Sequence, residues 1–141
     1  MKNRVNLGVI GCGSVFRLMH LPALIKLNNK FNIVSVYDTD EAAIKLTNKL
    51  FGKDLPFKIV NNPTKILSDP HIDAIAVLTS TSSHLKYTLQ ALRNNKHVFL
   101  EKPAAVLPKD VLKITQYEKK FNKYCQVGSP TVPSPPGRGP G

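Results

Sequence analysis

The sequence predicts an α/β fold in which a doubly wound parallel sheet carries helices on both faces. Short apolar runs typical of strands alternate along the 141 residues with segments whose apolar residues recur at helical spacing. The run at residues 74–78 is wholly apolar, as in a strand that is buried on both faces. Alternating strands and helices of this kind form a parallel sheet with right-handed crossovers.

The elements can be assigned in chain order from the apolar spacing. We predict strands at residues 5–10, 31–37, 57–60, 73–79, 97–100 and 124–127. We predict helices at about 14–28, 40–51, 64–68, 82 or 83 to 94, and 108–122. Pro22 should kink the first helix or split it in two, because proline has no backbone N–H. Ser82 or Ser83 should cap the fourth helix.

The turn between the first strand and the first helix contains Gly11 and Gly13. A glycine turn at this place lets the backbone approach a pyrophosphate, and the helix start directs its free N–H groups at the anion. We therefore predict that Gly11, Gly13, Ser14 and Val15 bind a dinucleotide in a Rossmann fold of strand order 3-2-1-4-5-6. Phe16 stands where a small residue is usual, so it must point elsewhere or push the helix away from the strand.

Asp38 directly follows the second predicted strand. A carboxylate at this position can accept hydrogen bonds from the hydroxyls of an adenosine ribose. Aspartate is also common after strands for structural reasons, so that interpretation stays open. A carboxylate would repel a 2′-phosphate, and Thr39 follows where an arginine would favour one. We therefore predict NAD as the cofactor in preference to NADP.

Further polar side chains follow the fourth and fifth predicted strands, which end at the same edge of the sheet. Thr79, Thr81 and His84 could contact ribose or phosphate there, and helix capping explains the hydroxyl-rich run equally well. Glu101 and Lys102 end the fifth strand. The Lys102 ammonium could hold a substrate oxygen during hydride transfer, although it could equally be a surface lysine.

The composition restricts the remaining classes of function. The net charge of +11 fits either a solvated surface or attraction of anionic ligands such as nucleotide phosphates. We predict no nucleic-acid partner, because no zinc spacing, basic helix or aromatic sheet signature is present. The other histidines, His20, His71 and His97, lack the spacing of metal ligands, so we predict no metal and interpret them as structural or exposed.

The two cysteines and the ends of the chain bear on its location and its extent. Two separated cysteines without a signal sequence predict free thiols in the cytoplasm, and no apolar run is long enough to span a membrane. Residues 1–128 form the predicted domain. Residues 129–141 are rich in proline and glycine and predict a disordered tail, either natural or the result of truncation or a changed reading frame.

Taken together, the motifs resemble the family of glucose–fructose oxidoreductase, inositol dehydrogenase and MocA-like proteins (Gfo/Idh/MocA). The matching runs are GVIGCGSVFRLMHLPAL at 8–24, VYDTDEAA at 36–43, DPHIDAIAVLTSTSSHLKYTLQALRNNKHVFLEKP at 69–103, and QVG at 126–128. The resemblance covers nearly everything up to Gly128, and the run that ends in Glu-Lys-Pro is its most specific part.

The resemblance implies an NAD(P)-binding domain of an oxidoreductase that acts on a sugar, polyol or diol. It implies that Lys102 is the catalytic lysine, often followed by a cis bond to Pro103, and that Glu101, Asp38, Thr79, Thr81 and His84 contact the cofactor or line its crevice. Family members often have Pro-Asn where this chain has Ser80-Thr81. They continue into a second domain that binds substrate and mediates oligomerisation. This chain departs from the pattern after Gly128, which predicts a truncated product with little activity.

Two rival functions remain open at this point. The chain could be a non-catalytic, NAD-responsive module that regulates or binds another protein, as some relatives of the family do. It could also be another Rossmann-like binder, such as one for a methyl donor, although the resemblance at Asp38 and the Glu-Lys-Pro end argues against this. A domain that normally packs on a second domain also exposes apolar surface when alone, which predicts self-association.

Overall fold

The chain folds around one parallel sheet in a computed structural model that describes residues 4–51, 57–102, 104–105 and 107–128. Its strands are β1 (Val5–Ile10), β2 (Phe31–Tyr37), β3 (Lys58–Ile59), β4 (Ala74–Val77), β5 (His97–Leu100) and β6 (Cys125–Val127). Their order across the sheet is β3-β2-β1-β4-β5-β6, and all paired strands run parallel. The predicted fold class and strand order are therefore confirmed.

The helical elements lie between the strands at the predicted places. They are a π-helical turn (Phe16–His20), α1 (Leu21–Lys26), α2 (Glu41–Phe51), α3 (Thr64–Leu67), α4 (Thr81–Arg93) and α5 (Pro108–Phe121). The first predicted helix is divided as expected. The Leu21 N–H bonds to the carbonyl of Phe16, five residues back, and α1 follows with Pro22, which has no donor of its own, in its first turn.

The predicted cap of α4 was wrong by two or three residues. Ser80 occupies the N-cap position, with an extended backbone at φ −62° and ψ 151°, and Thr81 is already helical. The pairing of β4 with β1 ends with the bond from the Leu78 N–H to the Ile10 carbonyl, at 2.8 Å, so the chain is free to turn immediately afterwards. Ser80 makes no side-chain capping hydrogen bond there, so the end of β4, and not the hydroxyl chemistry, sets where the helix begins.

The sheet separates two apolar clusters because alternate residues of each strand face opposite sides. The cluster under α4 and α5 includes Ile75, Val77, Val98, Leu100, Leu92 and Ile114. The cluster under the π-helical turn and α1 includes Leu7, Val9, Ile33, Ala76, Phe16 and Leu21. Phe16 is fully buried there, so its ring points into the core beneath the first helix.

His97 lies at the start of β5, on the edge of the sheet opposite to the predicted site. Its Nδ1 accepts the N–H of Tyr124 at 3.1 Å, and its ring stacks on the Tyr124 ring with centroids 5.7 Å apart. Burial, and then the charge of Lys123, lower the pKa of His97 below its usual value of 6.5, while Asp73 opposes the shift. The folded chain therefore favours the neutral ring.

We expect acidification to destabilise the fold partly through His97. Because folding lowers the pKa, the unfolded chain binds more protons just below pH 6.5, and the free energy of unfolding falls as the pH drops through that range. The His97→Asn variant keeps an acceptor for the Tyr124 N–H but does not titrate. Urea unfolding between pH 7 and pH 5 should show a smaller loss of stability in this variant; equal losses in both proteins would contradict the prediction.

Two further observations concern the described residues. None of their helices has both the length and the apolar character that crossing a bilayer requires. Within the same residues, no group of three His, Cys, Asp or Glu side chains is arranged to hold a metal ion.

Pro103 and the stretch 129–141 lie outside the described residues. The predictions of a cis bond before Pro103 and of a disordered tail concern those residues.

Candidate functional site

The residues that follow the strands meet along the carboxyl edge of the sheet. Gly11, Asp38, Thr79 and Glu101 come directly or almost directly after β1, β2, β4 and β5. Backbone bonds extend the ladder into this region: the Gly11 N–H donates to the Tyr37 carbonyl at 2.7 Å, and the Glu101 N–H donates to a β4 carbonyl at 3.3 Å. The sheet thus brings the predicted site residues to one edge, where open α/β sheets bind ligands.

Gly11 and Gly13 of the first turn differ in whether the fold itself requires a glycine at that position. Gly11 has φ +103°, and an added Cβ would lie 2.7 Å from the carbonyl carbon and oxygen of Leu78. The fold itself therefore requires glycine at position 11. An added Cβ at Gly13 would meet no atom within 4 Å among the described residues. Packing does not require glycine at position 13, and the space beside its Cα is open.

The turn is held from both sides of Cys12. Its N–H donates to Oδ2 of Asp38 at 2.8 Å, and its carbonyl accepts from Nη1 of Arg17 at 2.9 Å and from Oγ1 of Thr47 at 3.2 Å. Burial raises the pKa of the Cys12 thiol to about 11, so the thiol stays protonated near neutral pH. Ser14 and Val15 follow as exposed residues at the start of the helical segment.

Asp38 is half-buried beside a cleft at the end of β2. Its Oδ1 accepts the N–H of Asp40 at 2.9 Å, while Oδ2 holds the glycine turn. The cleft has a volume of about 390 Å³. It is lined by Tyr37, Asp38, Thr39, Glu41, Ile44, Lys45, Ile59, Val60 and Asn61. Asp38 therefore links the glycine turn to a cavity with both apolar and polar walls.

The residues after β4 divide between the crevice side and the core. Thr79 and Thr81 are half-buried, and Thr81 begins α4. His84 is 1% exposed, and its Nε2 lies 2.9 Å from the carbonyl oxygen of Thr79. The imidazole therefore stabilises the turn between β4 and α4 from inside. Contact of these three residues with a cofactor remains a prediction.

Glu101 and Lys102 have contrasting surroundings at the end of β5. Oε2 of Glu101 lies 2.9 Å from Nε2 of His20, whose side chain is 4% exposed while that of Glu101 is 24% exposed. Burial lowers the pKa of His20 below its usual 6.5, against the opposing effect of Glu101, so the neutral ring donates its Nε2–H to the carboxylate. Lys102 is exposed.

Sequence reasoning missed two residues of this region. It interpreted His20 as structural or exposed, whereas the fold places its ring against Glu101, 81 positions later in the chain. It did not consider Arg17, whose guanidinium holds the Cys12 carbonyl inside the glycine turn. The position of Arg17, one helical turn after Gly13, was the only available signal for it, and none in the sequence connects His20 with Glu101.

Known proteins share both this sequence pattern and this fold. The model of the GFO_IDH_MocA family, described as an oxidoreductase family with an NAD-binding Rossmann fold, matches residues 5–129. The inositol 2-dehydrogenase/D-chiro-inositol 3-dehydrogenase of Lacticaseibacillus casei is 34% identical over 125 residues, which are 88% of this chain and 35% of that protein. The chain spans about a third of the length of the curated relatives that it matches.

Solved structures give the same fold. The WlbA dehydrogenase of Chromobacterium violaceum, in complex with NADH and UDP-GlcNAcA, matches with a TM-score of 0.80 and 24% identity, covering 90% of this chain and 35% of that one. A 3-ketoreductase from Actinomadura kijaniata, in complex with NADP and TDP-benzene, matches with a TM-score of 0.78 and 22% identity over 89% and 37%. On the family match over residues 5–129, this chain belongs to the Gfo/Idh/MocA oxidoreductases and carries their NAD-binding Rossmann fold.

Proposed function

We propose that this chain is the cofactor-binding part of a dehydrogenase that acts on a CH–OH group of a sugar, polyol or diol, with NAD preferred to NADP. The observation that supports it best is the open space beside Gly13. A glycine that packing does not require, in the turn before a helix, is what a closely approaching pyrophosphate needs. The match to inositol dehydrogenases supports the substrate class.

The described residues fit a dinucleotide. The open flank of Gly13 and the start of the helical segment would receive the pyrophosphate. Asp38, beside the 390 Å³ cleft, would accept hydrogen bonds from the adenosine ribose, and its charge would disfavour a 2′-phosphate. Thr79 and Thr81 would contact the part of the cofactor that lies across the edge of β4.

The chemistry would take place at the end of β5. When bound, a nicotinamide ring supplies hydride transfer to or from a carbinol carbon. The Lys102 ammonium would donate a hydrogen bond to the substrate oxygen and stabilise the negative charge that develops there. Lys102 is exposed, so a substrate can approach it from solvent. We propose little turnover by the 141-residue chain in isolation, because it spans about a third of the length of the curated relatives that it matches.

Isothermal titration of the 141-residue chain with NADH, NADPH and ADP-ribose tests the proposal. We expect binding of NADH and ADP-ribose, with NADPH weaker. Folded protein that binds none of the three at millimolar concentration would refute the assignment. Rapid oxidation of a sugar or diol by this chain with NAD would refute the proposed lack of turnover.

A second role is supported by an apolar groove on the sheet face beside α1. The groove has a volume of about 550 Å³, and Leu18 and Met19 are 76% and 50% exposed nearby on the π-helical turn. Such surface suits a protein-binding, NAD-responsive module, and it also supports the prediction of self-association. Light scattering would detect self-association, and a pull-down that depends on NAD would favour the regulatory role.

Both cysteines are free thiols, in keeping with our proposal of a cytoplasmic location.

A further inference from the structure

The buried contact between His20 and Glu101 joins two separate parts of the site. His20 ends the π-helical turn that follows the glycine turn, and Glu101 directly precedes Lys102 at the end of β5. Nε2 of His20 and Oε2 of Glu101 are 2.9 Å apart. The edge of the His20 ring also meets the Phe99 ring, with centroids 5.5 Å apart and planes inclined at 69°. The imidazole is therefore held by β5 through two different contacts.

The hydrogen bond between His20 and Glu101 restrains the backbone at the end of β5. The Glu101 N–H donates to the Val77 carbonyl at 3.3 Å, a long bond at the end of the ladder. The next residue, Lys102, is exposed. One residue before Glu101, the Leu100 carbonyl accepts the Gly128 N–H at 3.1 Å, and the Glu101 side chain adds a further anchor at the point where the chain leaves the strand. A charge-assisted hydrogen bond in a buried setting is among the stronger side-chain contacts available.

The local helix geometry fits this role. In the π-helical turn Phe16–His20, the Leu21 N–H reaches back five residues to the Phe16 carbonyl. Isolated π-helical turns within helices occur frequently at functional sites. Here the turn ends with His20 buried at 3% exposure, while Leu18 and Met19 of the same turn face solvent. The irregular turn thus carries a polar group to the sheet edge.

We propose that His20 is a positioning residue: by holding the Glu101 carboxylate, it orders the end of β5 so that Lys102 and the nicotinamide half of the cofactor meet in the correct geometry. The proposal rests on the function proposed above. This role differs from core packing alone in two ways. The effect on cofactor binding depends on the hydrogen-bond donor at Nε2, and it is confined to the nicotinamide half of the dinucleotide. Binding of the pyrophosphate and the adenosine, which we assign to Gly13 and Asp38, should not depend on His20.

The test compares two substitutions at position 20 with a matched control. His20→Leu removes the donor, whereas His20→Gln restores an N–H at a similar reach. His71→Gln makes the same change at an exposed histidine that also pairs with a carboxylate, Asp69, at 3.2 Å. Each variant is titrated with NADH and with ADP-ribose, which lacks the nicotinamide.

We expect His20→Leu to weaken NADH binding about tenfold, as for the loss of one charge-assisted hydrogen bond, and to leave ADP-ribose binding nearly unchanged. His20→Gln should recover most of the NADH affinity, and His71→Gln should match the unsubstituted chain. Equal losses for NADH and ADP-ribose would indicate a structural role and overturn the proposal. Unchanged NADH binding in His20→Leu would overturn it as well.

A measurement without cofactor separates this proposal from the proposed function. The backbone ¹⁵N relaxation of Glu101 and Lys102 reports the order of the strand end directly. We expect increased motion at these two residues in His20→Leu and recovery in His20→Gln. If the unsubstituted chain binds no dinucleotide, the proposed function fails, and the relaxation result still supports or refutes the positioning of Lys102. Identical relaxation in all variants would refute it.

Discussion

Gly13→Ala should leave the chain as stable as before and remove most of its affinity for a dinucleotide, whereas Gly11→Ala should destabilise the fold. An added Cβ at Gly13 meets open space, and its backbone lies outside the positive-φ region, so the folded chain tolerates alanine. A phosphate in that space would collide with the new methyl group. We expect NADH affinity to fall by about tenfold or more, a cost of at least about 1.4 kcal/mol.

The matched substitution at Gly11 acts through the fold. Its φ of +103° disfavours any side chain, and the added Cβ would lie 2.7 Å from backbone atoms of Leu78. We expect the free energy of unfolding to fall by about 3 kcal/mol, at the upper end of the usual range for backbone strain. Urea unfolding and NADH titration of both variants check the pair. Undiminished NADH binding by a folded Gly13→Ala variant would remove the pyrophosphate assignment.

Asp38→Asn should reverse the expected preference between the two cofactors. The amide oxygen can still accept the Cys12 N–H, which Oδ2 of Asp38 now bonds at 2.8 Å, so the glycine turn should persist even though the bond from the Asp40 N–H to Oδ1 is lost. Loss of the charge weakens the bonds to the ribose hydroxyls and relieves repulsion of a 2′-phosphate. We expect NADH to bind about tenfold more weakly, as for a lost charge-assisted bond, and NADPH to bind more tightly.

The control for this prediction lies at the opposite edge of the sheet. Asp69 accepts the N–H of His71 at 2.8 Å, so Asp69→Asn makes the same chemical change away from the cleft. It should leave the ratio of the two affinities unaltered. If Asp38→Asn weakens NADH and NADPH equally, the carboxylate acts only by supporting the turn, and the ribose assignment is wrong.

The fold was predictable because its causes are local and repeated. The apolar run at 74–78 and the alternating strands and helices lead to one sheet, and two mononucleotide-binding halves give strand order 3-2-1-4-5-6, which is confirmed. The change in the helix near Pro22 was likewise predictable, since a proline has no N–H and is tolerated in the first turn of a helix but not in its interior. The start of α4 was not predictable, because it is set by the end of β4, and Ser80 at the N-cap position makes no side-chain capping hydrogen bond.

The site was predictable only in part. Parallel strands end at one edge, so the sequence alone placed Gly11, Asp38, Thr79 and Glu101 along the same side of the sheet. It could not distinguish Gly11 from Gly13, because the requirement for glycine at position 11 comes from the approach of Leu78, a residue 67 positions away. Phe16 posed the same difficulty, since its direction depends on the core that receives it.

Periodicity and turn chemistry act over a few residues, so they were enough to predict the architecture of this protein and the sheet edge at which we propose that a ligand binds. The bond from the Cys12 N–H to the Asp38 carboxylate and the bond between His20 and Glu101 became evident from the folded chain alone. These bonds join residues that are 26 and 81 positions apart. Such pairs depend on how the strands and helices pack together, and that packing cannot be predicted from local sequence patterns.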